Sequence, residues 1–233
     1  MNKHLTVEVV VEGPTENLFI KNVLAPYWAL RGIFISSPKI RTRIDERSGK
    51  VFTGGDIRFP RVAKQVGNFL KQRQNIIVAS FVDYYGIKDW PSLETINQNH
   101  SPRDIARILN QAALEYIQQN YPETCPQNRY FPYIAVHEFE ALLFSNASIM
   151  SKHLHIPSKK IEDVIQECGN PESINNGSET APSKRLDKWT NGQYGKTTTG
   201  ISIAEEIGIE SMRQQCPLFD EWLTSIEQLQ EEA

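Results

Sequence analysis

Apolar positions in the first part of the chain fall into two spacings, one of strand type and one of helix type. Leu5-Thr6-Val7-Glu8-Val9-Val10-Val11 is a β-branched run of strand length that stops at Glu12-Gly13-Pro14-Thr15-Glu16. Pro14 suits the first turn of a helix, and Leu18, Phe19, Val23 and Leu24 make its apolar face, which predicts a helix to about Leu24. A second strand is predicted from Gly32-Ile33-Phe34-Ile35, continuing past Pro38 through Ile40 to Ile44. Residues 59–72 read as a helix, and Asn75 to Asp83 is the clearest buried strand. Residues 84–101 read as a loop. Ser101 as N-cap and Pro102 behind it start a helix that runs to about Asn120. Tyr130 to Val136 is a further strand, followed by a helical stretch from Glu138 to Phe144.

This alternation implies an α/β fold: a Rossmann-like, mostly parallel open sheet flanked by helices on both faces. From about residue 146 no strand is predicted. Short helices are expected at 158–168, 200–213 and 217–231, with a loop over 170–183. The expected organisation is an α/β domain over residues 1–145 and an α-helical C-terminal extension over 146–233 packed on it.

The bulk properties narrow the classes. With 233 residues, 39% hydrophobic and 23% charged, the chain suits a globular α/β domain with an appendage. A net charge of -3 gives no global positive field, so any nucleic-acid site must rest on a local patch. No apolar run approaches the roughly 20 residues of a membrane span, and the early strand leaves no room for a signal peptide. Cys125, Cys168 and Cys216 are widely spaced without a CxxC, which argues against a disulfide framework or zinc knuckle and for a cytoplasmic protein.

The chemistry gathers at strand ends. Three predicted strands finish on acids: Glu12, Asp83, and the pair Glu138 and Glu140. In a parallel sheet these ends share one edge, where ligands collect. Carboxylates brought together there suit a hard divalent cation, Mg2+ or Mn2+, which polarises a phosphoryl oxygen and activates water. Glu16 is a secondary candidate, with a solvated first-turn acid as the plain alternative. His137 is a candidate general acid or base, or equally a structural histidine. Arg41 and Arg43 alternate along a predicted strand, with Arg47 and Lys50 beyond it. They form either a phosphate-contacting stripe or the charged face of an edge strand. Tyr85 beside Asp83 can stack on a base or bind a phosphate. Lys184, Arg185 and Lys196 are candidate phosphate contacts, and Lys184 and Lys196 can offset charge developing on a scissile phosphate. Gly195-Lys196-Thr197 is not a P-loop: the position five residues before Gly195 is Thr190, and no strand precedes it.

Val11 to Glu16, Val82-Asp83-Tyr84-Tyr85-Gly86 and His137-Glu138-Phe139-Glu140-Ala141-Leu142-Leu143-Phe144 resemble the motifs of the DUF4276 family over most of the chain. That resemblance implies a Toprim fold, as in topoisomerases, primases and OLD-type nucleases. Glu12-Gly13 matches the Toprim strand-1 glutamate. The usual Asp-x-Asp is Asp83-Tyr84-Tyr85 here, so its second acid is absent and Glu138 or Glu140 would have to replace it. Glu140 resembles a later glutamate of OLD-type nucleases. The resemblance also implies a separately encoded ABC/AAA-type ATPase partner in bacterial anti-phage defence. The expected function is a metal-dependent nuclease acting on DNA or RNA. The alternative is a non-catalytic Toprim-like binding or sensor subunit of the same complex. The sequence leaves a homo-oligomer open.

Overall fold

The computed structural model describes residues 4–38, 41–44, 51–53, 57–174, 177 and 179–231. Strand β1 (Leu5–Val11) leads into helix α1 (Pro14–Phe19), then a π-helical segment (Ile20–Leu24) and helix α2 (Ala25–Ala29) without a break. The helical stretch therefore outruns the expected end at Leu24. The apolar face continues to Trp28, which is fully buried and donates its indole N–H to Glu227 Oε1 at 2.8 Å.

Strand β2 (Ile33–Ser36) is shorter than expected. The chain leaves the sheet at Pro38, whose carbonyl accepts the Val11 N–H at 3.3 Å. The continuation to Ile44 is a separate strand, β3 (Arg41–Ile44), paired antiparallel with β4 (Val51–Thr53) in its own small sheet. Strand β5 (Ile57–Arg58) precedes helix α3 (Phe59–Gln72) and the long strand β6 (Ile76–Asp83). A 3-10 turn at Tyr84–Gly86 leads to β7 (Ile87–Lys88), which pairs with β5 in parallel. The β3–β4 excursion thus returns to the chain only four residues beyond Asp83. Helix α4 (Pro102–Asn120) starts as expected. Ser101 Oγ accepts the Asp104 N–H at 3.2 Å, and the Asp104 carboxylate accepts the Ser101 N–H at 3.3 Å.

Strand β8 (Tyr130–Ala135) completes a four-stranded sheet of order β2-β1-β6-β8, parallel throughout. From β1 the order runs to β2 on one side and to β6 and β8 on the other, so it reverses between β1 and β6. Val62 and Val66 of α3 and Leu109 and Ala113 of α4 pack on one face, against Val10, Val78 and Ile134. The other face, with Val7, Val9, Phe81 and Tyr133, meets the first helices and the C-terminal ones in one continuous core.

Residues 139–145 form a tight 3-10 helix, Phe139–Ser145, rather than the expected ordinary turn of helix. Helices α5 (Ala147–Leu154), α6 (Ser158–Cys168) and α7 (Pro182–Trp189) follow, then a π-helical turn (Lys196–Gly200), α8 (Ile201–Gln215) and α9 (Pro217–Glu231). No strand occurs here among the described residues, as expected. The sequence pattern does not predict α5, and α7 begins inside the predicted loop, with Pro182 in its first turn. Trp222 of α9 stacks on Tyr133 at 5.1 Å and donates to the Phe131 carbonyl at 3.1 Å. Among the described residues no helix is long and apolar enough to cross a membrane.

Candidate functional site

The parallel register sets Val11 beside Phe81. Glu12, one residue past β1, and Asp83, the last residue of β6, therefore leave the sheet at the same edge, where the strand order reverses. Crevices of this kind bind ligands in open α/β sheets. The turn after Asp83 closes over Glu12: a Cβ on Gly86 would lie 3.0 Å from Glu12 Oε1 and 3.1 Å from Oε2. Glu16, one turn into α1, is only 6% exposed, and its Oε2 accepts the Gly13 N–H at 2.9 Å. It is not the solvated first-turn acid of the plain reading. Glu140 reaches the same place from the 3-10 helix and is fully buried. Lys196 Nζ lies 2.8 Å from Glu140 Oε1, while the lysine side chain as a whole is 47% exposed.

These acids feel one another. Burial and then the charge of Glu16 push the Glu12 carboxyl up to about 7, against the opposing pull of the Asp83 N–H and Lys196. Burial holds Asp83 well above the usual carboxylate range, with Glu16, Glu140 and Glu12 adding to it and Lys196 opposing. Burial also raises Glu140 and Glu16, and Lys196 again opposes. Burial alone would lower Lys196, yet Glu140, Glu138 and Asp83 outweigh it and raise the ammonium. Glu12 Oε2, Asp83 Oδ1 and Glu140 Oε2 are buried and find no hydrogen-bond partner among the described residues. Buried polar atoms are rarely left so, because each forfeits its hydration without return.

An all-oxygen, carboxylate-rich donor set with unused lone pairs fits Mg2+ or Mn2+ by ligand chemistry. The fit is one of donor type. Among the described residues no three His, Cys, Asp or Glu side chains stand close enough together to hold a metal ion.

The other sequence candidates are placed differently. Glu138 has φ 71° and ψ 158°, a conformation costly for a residue with a Cβ. Its Oε2 accepts the Ser183 N–H and its Oε1 the Ser183 hydroxyl, both at 3.0 Å. Both oxygens are thus committed to the start of α7, which departs from the metal-ligand role expected of them. His137 sits half-buried in the turn after β8. Lys184 is exposed next to Ser183, and Arg185 Nε donates to the Thr180 carbonyl at 2.8 Å, bracing the preceding loop. Tyr85 is 75% exposed beside Asp83. Arg41 and Arg43 both lie on β3, but the pairing slips between them, so the strict alternation a one-face stripe needs is interrupted. Their side chains, and Arg47 and Lys50 entirely, fall outside the described part of the structure.

Two participants were missed. Tyr194 is half-buried, its hydroxyl has no partner among the described residues, and Glu140 and Glu138 help push its phenol up after burial itself. The signal was its place directly before Gly195-Lys196. Ser183 was passed over because nothing in sequence ties it to a glutamate 45 residues earlier.

A family model described as a domain of unknown function, DUF4276, matches residues 11–227. No curated protein matches the chain. Among solved structures the chain is similar to the C-terminal region of the OLD protein of Xanthomonas campestris pv. campestris, at 12% identity and a TM-score of 0.36, over 97% of this chain and 95% of that one.

Proposed function

The chain belongs to the DUF4276 family, and we propose that it is a Toprim-like, metal-dependent nuclease that hydrolyses phosphodiester bonds of DNA or RNA. The observation that carries this reading is the set of buried, unpartnered oxygens on Glu12, Asp83 and Glu140 at the reversal of strand order. Those three residues would hold Mg2+ or Mn2+. The bound ion supplies Lewis-acid polarisation of the phosphodiester and an acidified water.

The rest is the work of side chains. Burial, with Glu16 behind it, raises the Glu12 carboxyl to about 7, so a cation binding there would displace a proton. His137 is the proton-transfer candidate. Lys196 carries positive charge to the same point and offsets charge developing on phosphoryl oxygens. Tyr85 offers an exposed ring to a base, and Lys184, Arg185, Arg41 and Arg43 neutralise phosphates around the edge. The family resemblance, rather than the site, supplies the partner: a separately encoded ABC/AAA-type ATPase in anti-phage defence. Gly195-Lys196-Thr197 follows a loop and its lysine faces Glu140, which supports placing ATP hydrolysis on another chain.

The test is cleavage of DNA, total RNA and tRNA with Mg2+ or Mn2+, with and without the neighbouring ATPase. Cation-dependent cleavage that is lost in Glu12→Gln and Asp83→Asn is the expected result; full activity in both variants sinks the reading. A second reading, a non-catalytic binding subunit, draws on Tyr85 standing where the second acid of Asp-x-Asp would be, and on the open spacing of the carboxylates. It predicts nucleic-acid binding unchanged by Glu12→Gln and no cleavage with any cation.

A further inference from the structure

We propose that Glu138 is a positioning residue: its clamp on Ser183 holds a glycine-type turn, and that turn aims Glu140 into the acidic edge of the sheet. What the aim serves in cleavage rests on the nuclease reading above; the aim itself does not.

The turn lies between the end of β8 at Ala135 and the 3-10 helix Phe139–Ser145. Glu138, at φ 71° and ψ 158°, occupies a region of backbone space that is essentially glycine's alone. Its carbonyl accepts the Ala141 N–H at 3.2 Å, so these angles set where the 3-10 helix starts and which way it runs. Glu140 follows two residues on, fully buried, with Oε1 2.8 Å from Lys196 Nζ. A glycine would take these angles without strain. A glutamate keeps them because both of its oxygens are engaged at 3.0 Å. One accepts the Ser183 N–H, a first-turn amide that α7 itself cannot use, and the other accepts the Ser183 hydroxyl.

Three ties among the described residues join this turn and its helix to the chain from α7 onward. Glu138 meets Ser183 at the start of α7, Phe144 meets Trp189 at its end with ring centres 6.0 Å apart, and Glu140 meets Lys196 in the turn beyond. The first two bracket Glu140 in sequence, so α7 holds the segment carrying the carboxylate on both sides. Phe139 is fully buried, with its ring centre 5.2 Å from that of Phe19. That contact keeps the 3-10 helix in the core if the clamp opens. What changes is the direction in which Glu140 points, and a misplacement of about 1 Å can cost roughly 100-fold in rate.

The experiment reads the aim of Glu140 from melting temperatures of the full chain at pH 8, in chelator and without nucleic acid. Lys196→Met strips Glu140 of its counter-charge and should lower the melting temperature of the wild-type chain by about 4 °C. The same change is then made in three Glu138 variants. Glu138→Gly keeps the turn without the clamp. Glu138→Gln can keep both bonds, its carbonyl accepting the Ser183 N–H and its amide donating to the Ser183 hydroxyl. In both, Lys196→Met should cost as much as in wild type. In Glu138→Ala, which loses the clamp and cannot hold the turn, it should cost less than about half as much, because Glu140 no longer meets Lys196. If Glu138→Ala does not fold, Glu138→Asn replaces it as a milder form, since asparagine tolerates positive φ better, and should show the same reduction to a lesser degree. An equal loss in all backgrounds makes Glu138 a mere staple on α7 and overturns the proposal. So does a loss in Glu138→Gly as small as that in Glu138→Ala. In cleavage, kcat of Glu138→Ala should fall about 100-fold with KM nearly unchanged, while Glu138→Gly and Glu138→Gln stay within about threefold. Unchanged kcat in Glu138→Ala refutes the role in cleavage. The expected melting pattern in a chain that cleaves nothing refutes the nuclease reading and leaves the positioning standing.

Discussion

Glu172 and the Glu12–Asp83–Glu140 cluster are both buried acids in the same protein, yet one is finished and the other is not. Glu172 is 6% exposed. Its Oε2 accepts the Leu218 N–H at 2.7 Å, and its Oε1 accepts the Phe219 N–H at 3.0 Å and the Tyr133 hydroxyl at 3.2 Å. It serves as a remote cap for the first turn of α9, satisfying amides that the helix itself cannot. Burial still pushes it up to about 7, partly offset by those donors. The cluster at the sheet edge shows the same direction of shift, with Glu140 fully buried and Glu12 and Asp83 half-buried. What it lacks is donors: Glu12 Oε2, Asp83 Oδ1 and Glu140 Oε2 have none among the described residues. Burial and a raised pKa therefore do not separate structure from function in this chain. The count of donors does. Where the chain completes the carboxylate, the acid is a strut; where it leaves lone pairs over, the acid awaits a cation, a proton or a substrate.

The comparison breaks most easily at activity. Glu12→Gln and Asp83→Asn should each lower cleavage about 1,000-fold, the several kcal/mol expected when a ligand carboxylate is lost. Melting temperature, measured near pH 4.5, should move by only about 2 °C. Measured cleavage rates within tenfold of wild type would place these acids with Glu172 after all. Glu172→Ala should behave in the opposite way. It strands two buried amides and a tyrosine hydroxyl and should cost about 3 kcal/mol, or roughly 10 °C in melting temperature for a chain of this size. Cleavage per folded molecule should be unchanged.

A smaller effect concerns pH in the absence of divalent ions. The Glu12 carboxyl is raised from 4.5 to about 7 on folding, so the folded state holds its proton over that window and the unfolded state does not. The stability this contributes is complete below about pH 4.5 and is lost as pH rises through about 7. Glu12→Gln should therefore gain on wild type with rising pH, by at most about 3 kcal/mol at pH 8, and show no such gain at pH 4.5. Chemical denaturation in chelator at the two pH values reads this directly, and adding Mn2+ should erase it. An advantage of the variant that is larger at low pH would contradict the assigned shift.

Next in size is the latch on α7. Ser183→Ala removes one of the two bonds that hold Glu138, for about 1 kcal/mol. Amide exchange should rise in α7 and not in α9, because Glu172 and not Glu138 holds the latter. The smallest effect is at the rim: Lys184→Gln should reduce the slope of log affinity against log salt by about 0.7–0.9 if it meets one phosphate.

Much of this is legible in the sequence. The runs at 5–11, 76–83 and 130–135 announce themselves as buried strands, and Ser101-Pro102-Arg103-Asp104 as a helix start, because period and capping are local properties. The parallel sheet follows from their alternation with helices. That Glu12 and Asp83 leave one edge follows in turn, since every strand of such a sheet points the same way. Three other points needed the packed chain. Pro38 could be read as a strand residue until the sheet ended there. Glu138 and Glu140 are indistinguishable by sequence position, two residues apart beside one strand end. Only the 3-10 turn, with its backbone at φ 71° on Glu138, sends one to Ser183 of α7 and the other to Lys196. Glu16 reads as an ordinary first-turn acid and Glu172 falls in a predicted loop, until burial sets one behind Glu12 and the other under α9. Spacing along the chain determines which residues share a strand or a helix face; which carboxylate meets a donor and which is left without one depends on contacts between segments tens to more than a hundred residues apart, and those exist only once the core has closed.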